Sequence, residues 1–211
     1  MKKKGLLKDA AILFAITLVA AVALSCVYAL TKEPIEKAAE EEKQAAYKSV
    51  FSGAEFKEFD KAETLLSTVN ESMHSGKMKD GDVSLEKATV TEILRAVDKN
   101  GVPCGYVMSV VSKSGYGGDI TAAVGMTNEG KVCGFKVLSQ SETAGFGAKC
   151  DEPAEQEKYV SEYGAVFDGK KTVDEVDMIS GATYTSNALK EIFGAARVAA
   201  KTAESGVSAN A

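Results

Sequence analysis

Asp177-Met178-Ile179-Ser180-Gly181-Ala182-Thr183-Tyr184-Thr185-Ser186 is the stretch best suited to chemistry, because small residues and hydroxyls gather where a turn feeds a helix. Small side chains let a ligand approach the backbone. The first N–H groups of a helix have no intrahelical partners, and the helix dipole places partial positive charge there. The hydroxyls of Ser180, Thr183, Thr185 and Ser186 add donors. Such a site suits a phosphate. Ser and Thr are also favoured helix N-caps, so a simple capped turn is the competing reading.

The elements that position this stretch follow from periodicity. Residues 186–204 carry Leu189, Ile192, Phe193 and Ala196 at i, i+3, i+4 and i+7, the pattern of a helix with one apolar face. Between residues 88 and 139, apolar runs are separated by the turn signals Asn100-Gly101, the Tyr116-Gly117-Gly118 loop and Asn128-Glu129-Gly130. This predicts four antiparallel strands in a meander, one face free for the C-terminal helix. The expected class is α+β. Residues 52–85 mix turn formers with short apolar pieces and leave their fold open.

Residues 10–30 run for 21 positions without a charge, enough at about 1.5 Å per residue to cross a hydrocarbon core of roughly 30 Å. A transmembrane helix is expected. A cleavable signal peptide and a lipid attachment at Cys26 are the alternatives, though the run is long for the first and the residues before Cys26 suit the second poorly. Lys2, Lys3, Lys4 and Lys8 precede the run, so the positive-inside rule keeps the N-terminus cytoplasmic and the rest outside. The expected organisation is a basic cytoplasmic segment 1–9, the anchor 10–30, a helical stalk 31–50 rich in Ala, Glu and Lys, a main domain 51–204 and a frayed tail 205–211.

Composition excludes several classes. A net charge of -5, with lysines interleaved among acids, does not suit nucleic acid. The four cysteines show no C-x-x-C spacing, so no metal or iron–sulfur site is expected, and a Cys104–Cys133 bridge between neighbouring strands is the one disulfide considered. The single histidine, His74, lies in a polar stretch and reads as a solvated loop residue.

The D-x-x-S-G-A-T-x-T-S stretch resembles the flavinylation motif of the FMN-binding domain found in the G subunit of Rnf-type electron transport complexes and in the C subunit of the sodium-translocating NADH:quinone reductase. Two further stretches carry the resemblance in the same order along the chain. Residues 138–147 (LSQSETAGFG) resemble the family's L-x-H-x-E-T-P-G-L-G loop, departing at Gln140, Ala144 and Phe146, and residues 114–120 resemble its G-Y-x-G-x-I loop. The resemblance covers the anchor and roughly residues 88–200.

The resemblance implies FMN joined to Thr183 by a phosphoester, with Thr185 as the rival hydroxyl. It places Ser180, Gly181, Ala182 and Ser186 around the phosphate. Glu142, Thr143, Gly145 and Gly147 would lie beside the flavin, and Tyr116, Gly117 and Gly118 would line the same pocket. Asp177 would belong to the pattern used by a flavin transferase during maturation. No side chain is expected to act as a catalytic acid or nucleophile. The implied function is electron carriage within a membrane complex whose other subunits couple ferredoxin and NAD to ion movement. Chain size favours the Rnf subunit over the quinone reductase subunit or a stand-alone flavoprotein module.

Overall fold

A computed structural model of the chain describes residues 3–208 except 59 and 77. Residues 1–2 of the expected basic segment and 209–211 of the expected tail lie outside the described residues. The chain divides into two units, Met1–Glu42 and Lys43–Ala211.

Helix α1 spans Lys3–Val50. Its residues up to Glu42 make up the first unit, and their side chains are exposed from Lys8 through Glu42. The helix is long and apolar enough to cross a membrane. The expected anchor and stalk are one continuous helix, with Pro34 inside it.

The second unit is built on a five-stranded antiparallel sheet. Its elements are β1 (Glu55–Lys57), α2 (Ala62–His74), the short ribbon β2 (Lys79–Asp80) and β3 (Val83–Ser84), then β4 (Ala88–Val97), β5 (Pro103–Ser112), β6 (Ile120–Thr127) and β7 (Val132–Ser139). A 3-10 turn over Gly147–Asp151 leads to α3 (Pro153–Phe167), and a second over Val173–Glu175 precedes α4 (Thr183–Ser208). The sheet order is β1-β4-β5-β6-β7, so the expected four-strand meander gains an edge strand. The β4–β5 and β6–β7 turns each use a glycine in the left-handed region, Gly101 (φ 78°) and Gly130 (φ 76°).

One sheet face carries the main core. Helix α4 crosses β4, β5 and β6, α2 covers β4 and α3 covers β7. Leu189, Ile192, Phe193 and Ala196 are fully buried there, as the i, i+3, i+4, i+7 pattern requires. The Phe193 ring stacks on Tyr163 of α3 at 3.9 Å between centroids and lies 4.8 Å from Phe135 of β7. Helix α4 begins at Thr183, three residues before the periodic pattern, and reaches Ser208.

The opposite face is not left bare. Ala46, Tyr47 and Val50, from the last turns of α1 within the second unit, pack on Leu94, Val107 and Ala123. Gly134 and Gly125 make this possible: a Cβ at Gly134 would collide with the carbonyl oxygen of Val50, and one at Gly125 would sit 2.8 Å from it. Burial on both faces explains why β5 reads as a nearly unbroken apolar run rather than an alternating one.

One expectation is corrected and one considered pairing is excluded. His74 is the last residue of α2, not a loop residue, and its Nε2 lies 3.0 Å from the Ala88 carbonyl and 3.1 Å from Thr89 Oγ1. Cys104 and Cys133 sit on β5 and β7 with β6 between them, and both are free. Two strand spacings amount to about 9.5 Å, beyond disulfide reach.

Candidate functional site

The turn before α4 is set by one glycine and one serine. The Ala182 N–H donates to the Ile179 carbonyl at 3.0 Å, and Gly181, third in that turn, has φ 75°, as a type II turn demands. Ser186 fixes the turn from inside: its buried hydroxyl accepts the Ile179 N–H at 3.0 Å and donates to the Ala182 carbonyl at 3.0 Å. The first intrahelical bond runs from the Ser186 N–H to Ala182. The N–H groups of Thr183, Tyr184 and Thr185 therefore lie ahead of the helical ladder, at the positive end of a 26-residue helix.

The two candidate hydroxyls on this first turn have different surroundings. Thr183 is exposed and lines a cleft of about 380 Å³. Thr185 is 1% exposed, and its hydroxyl donates to Glu142 Oε2. The other carboxylate oxygen of Glu142 accepts the Gly117 N–H at 2.8 Å. Glu142, itself buried, thus joins three separate segments.

Glycines make room around that carboxylate. A Cβ at Gly147 would lie 2.5 Å from Glu142 Oε2 and collide with Thr185 Oγ1, while one at Gly115 would lie 2.9 Å from Glu142 Oε1. At Gly117 a Cβ would strike the Ser141 carbonyl. Gly145 (φ 79°) and Gly118 (φ 140°) turn their loops through the left-handed region.

Eight of the residues singled out from sequence line the cleft: Tyr116, Glu142, Thr143 and Gly147 from the two loops, and Gly181, Ala182, Thr183 and Thr185 from the turn and helix. Ser186 and Gly117 do not line it but support it through the bonds just described. Ser180, Gly145 and Gly118 are exposed and do not line it. Asp177 lies outside the cleft too, with an exposed carboxylate 3.9 Å from Lys158 Nζ.

Two lining residues were not anticipated. Phe146 and Tyr184 are exposed aromatics at the cleft, and with Tyr116 they form an apolar rim; the Tyr116 and Tyr184 rings lie 6.0 Å apart at 45°. Phe146 replaces the family's leucine, a departure that keeps an apolar side chain against Gly181. Three exposed aromatics beside a helix N-terminus match the two ends of a flavin mononucleotide, a flat apolar ring system and a phosphate. The volume also suits a ligand of that size.

The nearby thiol offers no rival chemistry. Cys150, in the 3-10 turn after Gly147, is fully buried. Burial first, and the negative charges of Asp151 and Glu142 second, push its thiol up to about 12, which leaves it a poor nucleophile. Among the described residues no group of His, Cys, Asp or Glu has the arrangement to hold a metal.

Comparison with known proteins decides the family. Residues 115–197 match the family model for the FMN-binding domain, and residues 1–50 match that for the RnfG N-terminal region. Together the two matches support a G subunit of the Rnf type. It is 31% identical over 104 residues to the G subunit of the ion-translocating oxidoreductase complex of Vibrio parahaemolyticus, which is 43% of this chain and 46% of that one. It is 32% identical over 97 residues to the G subunit of the proton-translocating ferredoxin:NAD(+) oxidoreductase complex of Clostridium ljungdahlii, 44% of this chain and 52% of that one. To the G subunit of the ion-translocating oxidoreductase complex of Pasteurella multocida it is 29% identical over 187 residues, 85% and 86% of the two chains. The chain spans about half the length of the first two relatives and most of the third. Within this G-subunit family, the matched FMN-binding domain contains every residue of the cleft.

Proposed function

We propose that this G-family chain carries FMN, joined through a phosphoester to Thr183, and passes single electrons between neighbouring subunits of a membrane-bound Rnf-type complex. The observation that carries this reading is the contrast on the first turn of α4. The Thr183 side chain is open to the cleft, whereas the rival Thr185 hydroxyl is buried and committed to Glu142.

The chain's own residues have distinct tasks. The first-turn N–H groups of α4 offer donors and positive potential to a phosphate. Tyr116, Phe146 and Tyr184 give a flat ring apolar contact and hold water back. Gly147 lets the Thr185 hydroxyl and the Glu142 carboxylate come together, and Gly181 lets the Phe146 ring lie against the turn. The isoalloxazine ring supplies the redox chemistry when bound, and the protein supplies attachment, orientation and electrostatics.

Asp177 stays accessible outside the cleft, where a flavin transferase would read it during maturation. The apolar run 10–30 anchors the chain, and the lysines before it hold the N-terminus in the cytoplasm, so the FMN domain faces outward. A covalent tether suits that side of the membrane, where a dissociated cofactor would not be replaced.

The test is in-gel flavin fluorescence after denaturation, on protein from a host with the transferase. The wild type and Thr185→Val should fluoresce and Thr183→Val should not. Fluorescence that survives Thr183→Val and disappears in Thr185→Val would reverse the assignment.

A further inference from the structure

We infer that the buried carboxylate of Glu142 both holds the walls of the cleft in register and lowers the reduction potential of the flavin bound there. This rests on the FMN reading above and goes beyond it, since it assigns an electrostatic task to a residue that need not touch the phosphate.

The geometry has two parts. First, Glu142 ties together segments far apart in sequence. Its Oε1 accepts the Gly117 N–H at 2.8 Å, its Oε2 accepts the Thr185 hydroxyl, and its own N–H donates to Gln140 Oε1 at 2.7 Å. Tyr116 and Tyr184, which flank the cleft mouth, are the immediate chain neighbours of Gly117 and Thr185. The carboxylate therefore sets the separation of those two rings. The absence of side chains at Gly115 and Gly147, where a Cβ would come within 2.9 and 2.5 Å of its oxygens, shows backbone shaped around it.

Second, both oxygens act as acceptors from neutral donors. Among the described residues no lysine or arginine is ion-paired with Glu142. Its negative charge has little contact with water and no ion-paired cation, in a wall of the cleft. Each electron delivered to an isoalloxazine ring ahead of a proton adds negative charge to the same cleft. Like charges repel more strongly in a low-dielectric site than in water, so the carboxylate disfavours reduction.

Spectroelectrochemical titration of the FMN-loaded full chain in detergent tests this, with Glu142→Gln, Glu142→Asp and Thr185→Val beside the wild type. Glu142→Gln keeps the shape and removes the charge. It should favour one-electron reduction by about tenfold, which is about 59 mV more positive. Glu142→Asp keeps the charge and should stay close to the wild type. Thr185→Val removes a donor that screens the charge and should move the potential negative. A loaded Glu142→Gln with the wild-type potential, or Glu142→Asp shifting as far as Glu142→Gln, would overturn the inference. Should Glu142→Gln take up no FMN, the sign in Thr185→Val decides: a negative shift supports the charge, and no shift or a positive one refutes it. A wild type without flavin would instead refute the function proposed above.

Discussion

Ser180 and Ser186 flank the five residues from Gly181 to Thr185, yet they should respond unequally to loss of the hydroxyl. Ser186→Ala removes the acceptor of the Ile179 N–H, a buried bond at 3.0 Å, and leaves the neighbouring Tyr159 hydroxyl as the nearest other acceptor. The Ala182 carbonyl, which also loses the serine hydroxyl, keeps the Ser186 N–H at 3.0 Å. The net loss is one buried hydrogen bond, costing about 1–3 kcal/mol. Ser180 is exposed, and Ser180→Ala should change stability by no more than about 0.5 kcal/mol. With an m-value of about 2 kcal/mol/M, Ser186→Ala should lower the urea midpoint by about 1 M. The chain has no tryptophan, so near-ultraviolet circular dichroism of the buried Tyr47, Tyr159 and Tyr163 is the signal to follow, on cofactor-free full chain in detergent. Equal midpoints for Ser186→Ala and Ser180→Ala would refute the claim that Ser186 builds the turn.

Two further outcomes are expected. Asp98 accepts N–H bonds from Val102 and Asn100, each at 2.8 Å, and the Val102 bond is the main cause of a carboxyl pKa below the usual 3.8. The unfolded chain binds the proton more readily, so this contribution is present above 3.8 and is lost as pH falls through the lower folded value. Urea midpoints measured across the acid range should therefore decline more steeply in the wild type than in Asp98→Asn, and parallel declines would contradict the turn geometry. For topology, Ser161→Cys lies on an exposed position of α3. In a Cys133→Ser background, intact cells should label it with a membrane-impermeant thiol reagent; labelling only after lysis would invert the proposed orientation.

Much of this fold was legible because its signals are local. The charge-free run, the glycine turns between β4, β5, β6 and β7, and the apolar stripe of α4 each lie within one element. What was missed depends on partners far away. Strand β1 has only three residues, too few for a period, and exists through pairing of Glu55, Phe56 and Lys57 with Val97, Ala96 and Arg95. The covering of the second sheet face depends on Gly125 and Gly134, whose close approach to Val50 is invisible without the fold, although glycine inside a strand often marks such an approach. Helix α3 did carry a readable sign, Pro153 at its first position with Tyr159, Tyr163 and Val166 recurring on one side.

The site divides along the same line. A phosphate-ready helix start follows from residue types alone, but which threonine stays exposed depends on geometry. Successive residues of an α-helix are rotated by about 100°, so Thr183 and Thr185 point about 200° apart. If one lies on the solvent side of α4, the other must face the sheet. The apolar stripe through Leu189, Ile192 and Phe193 fixes which way the helix rolls, and Ser186 and Thr185 extend the buried side to its first turn. A buried threonine hydroxyl there needs an acceptor. Glu142, 43 residues earlier in the chain, provides it. The exposure of Thr183 and the burial of Thr185 are thus set by the core of α4 and by one carboxylate on a distant loop, not by the order of residues within the motif.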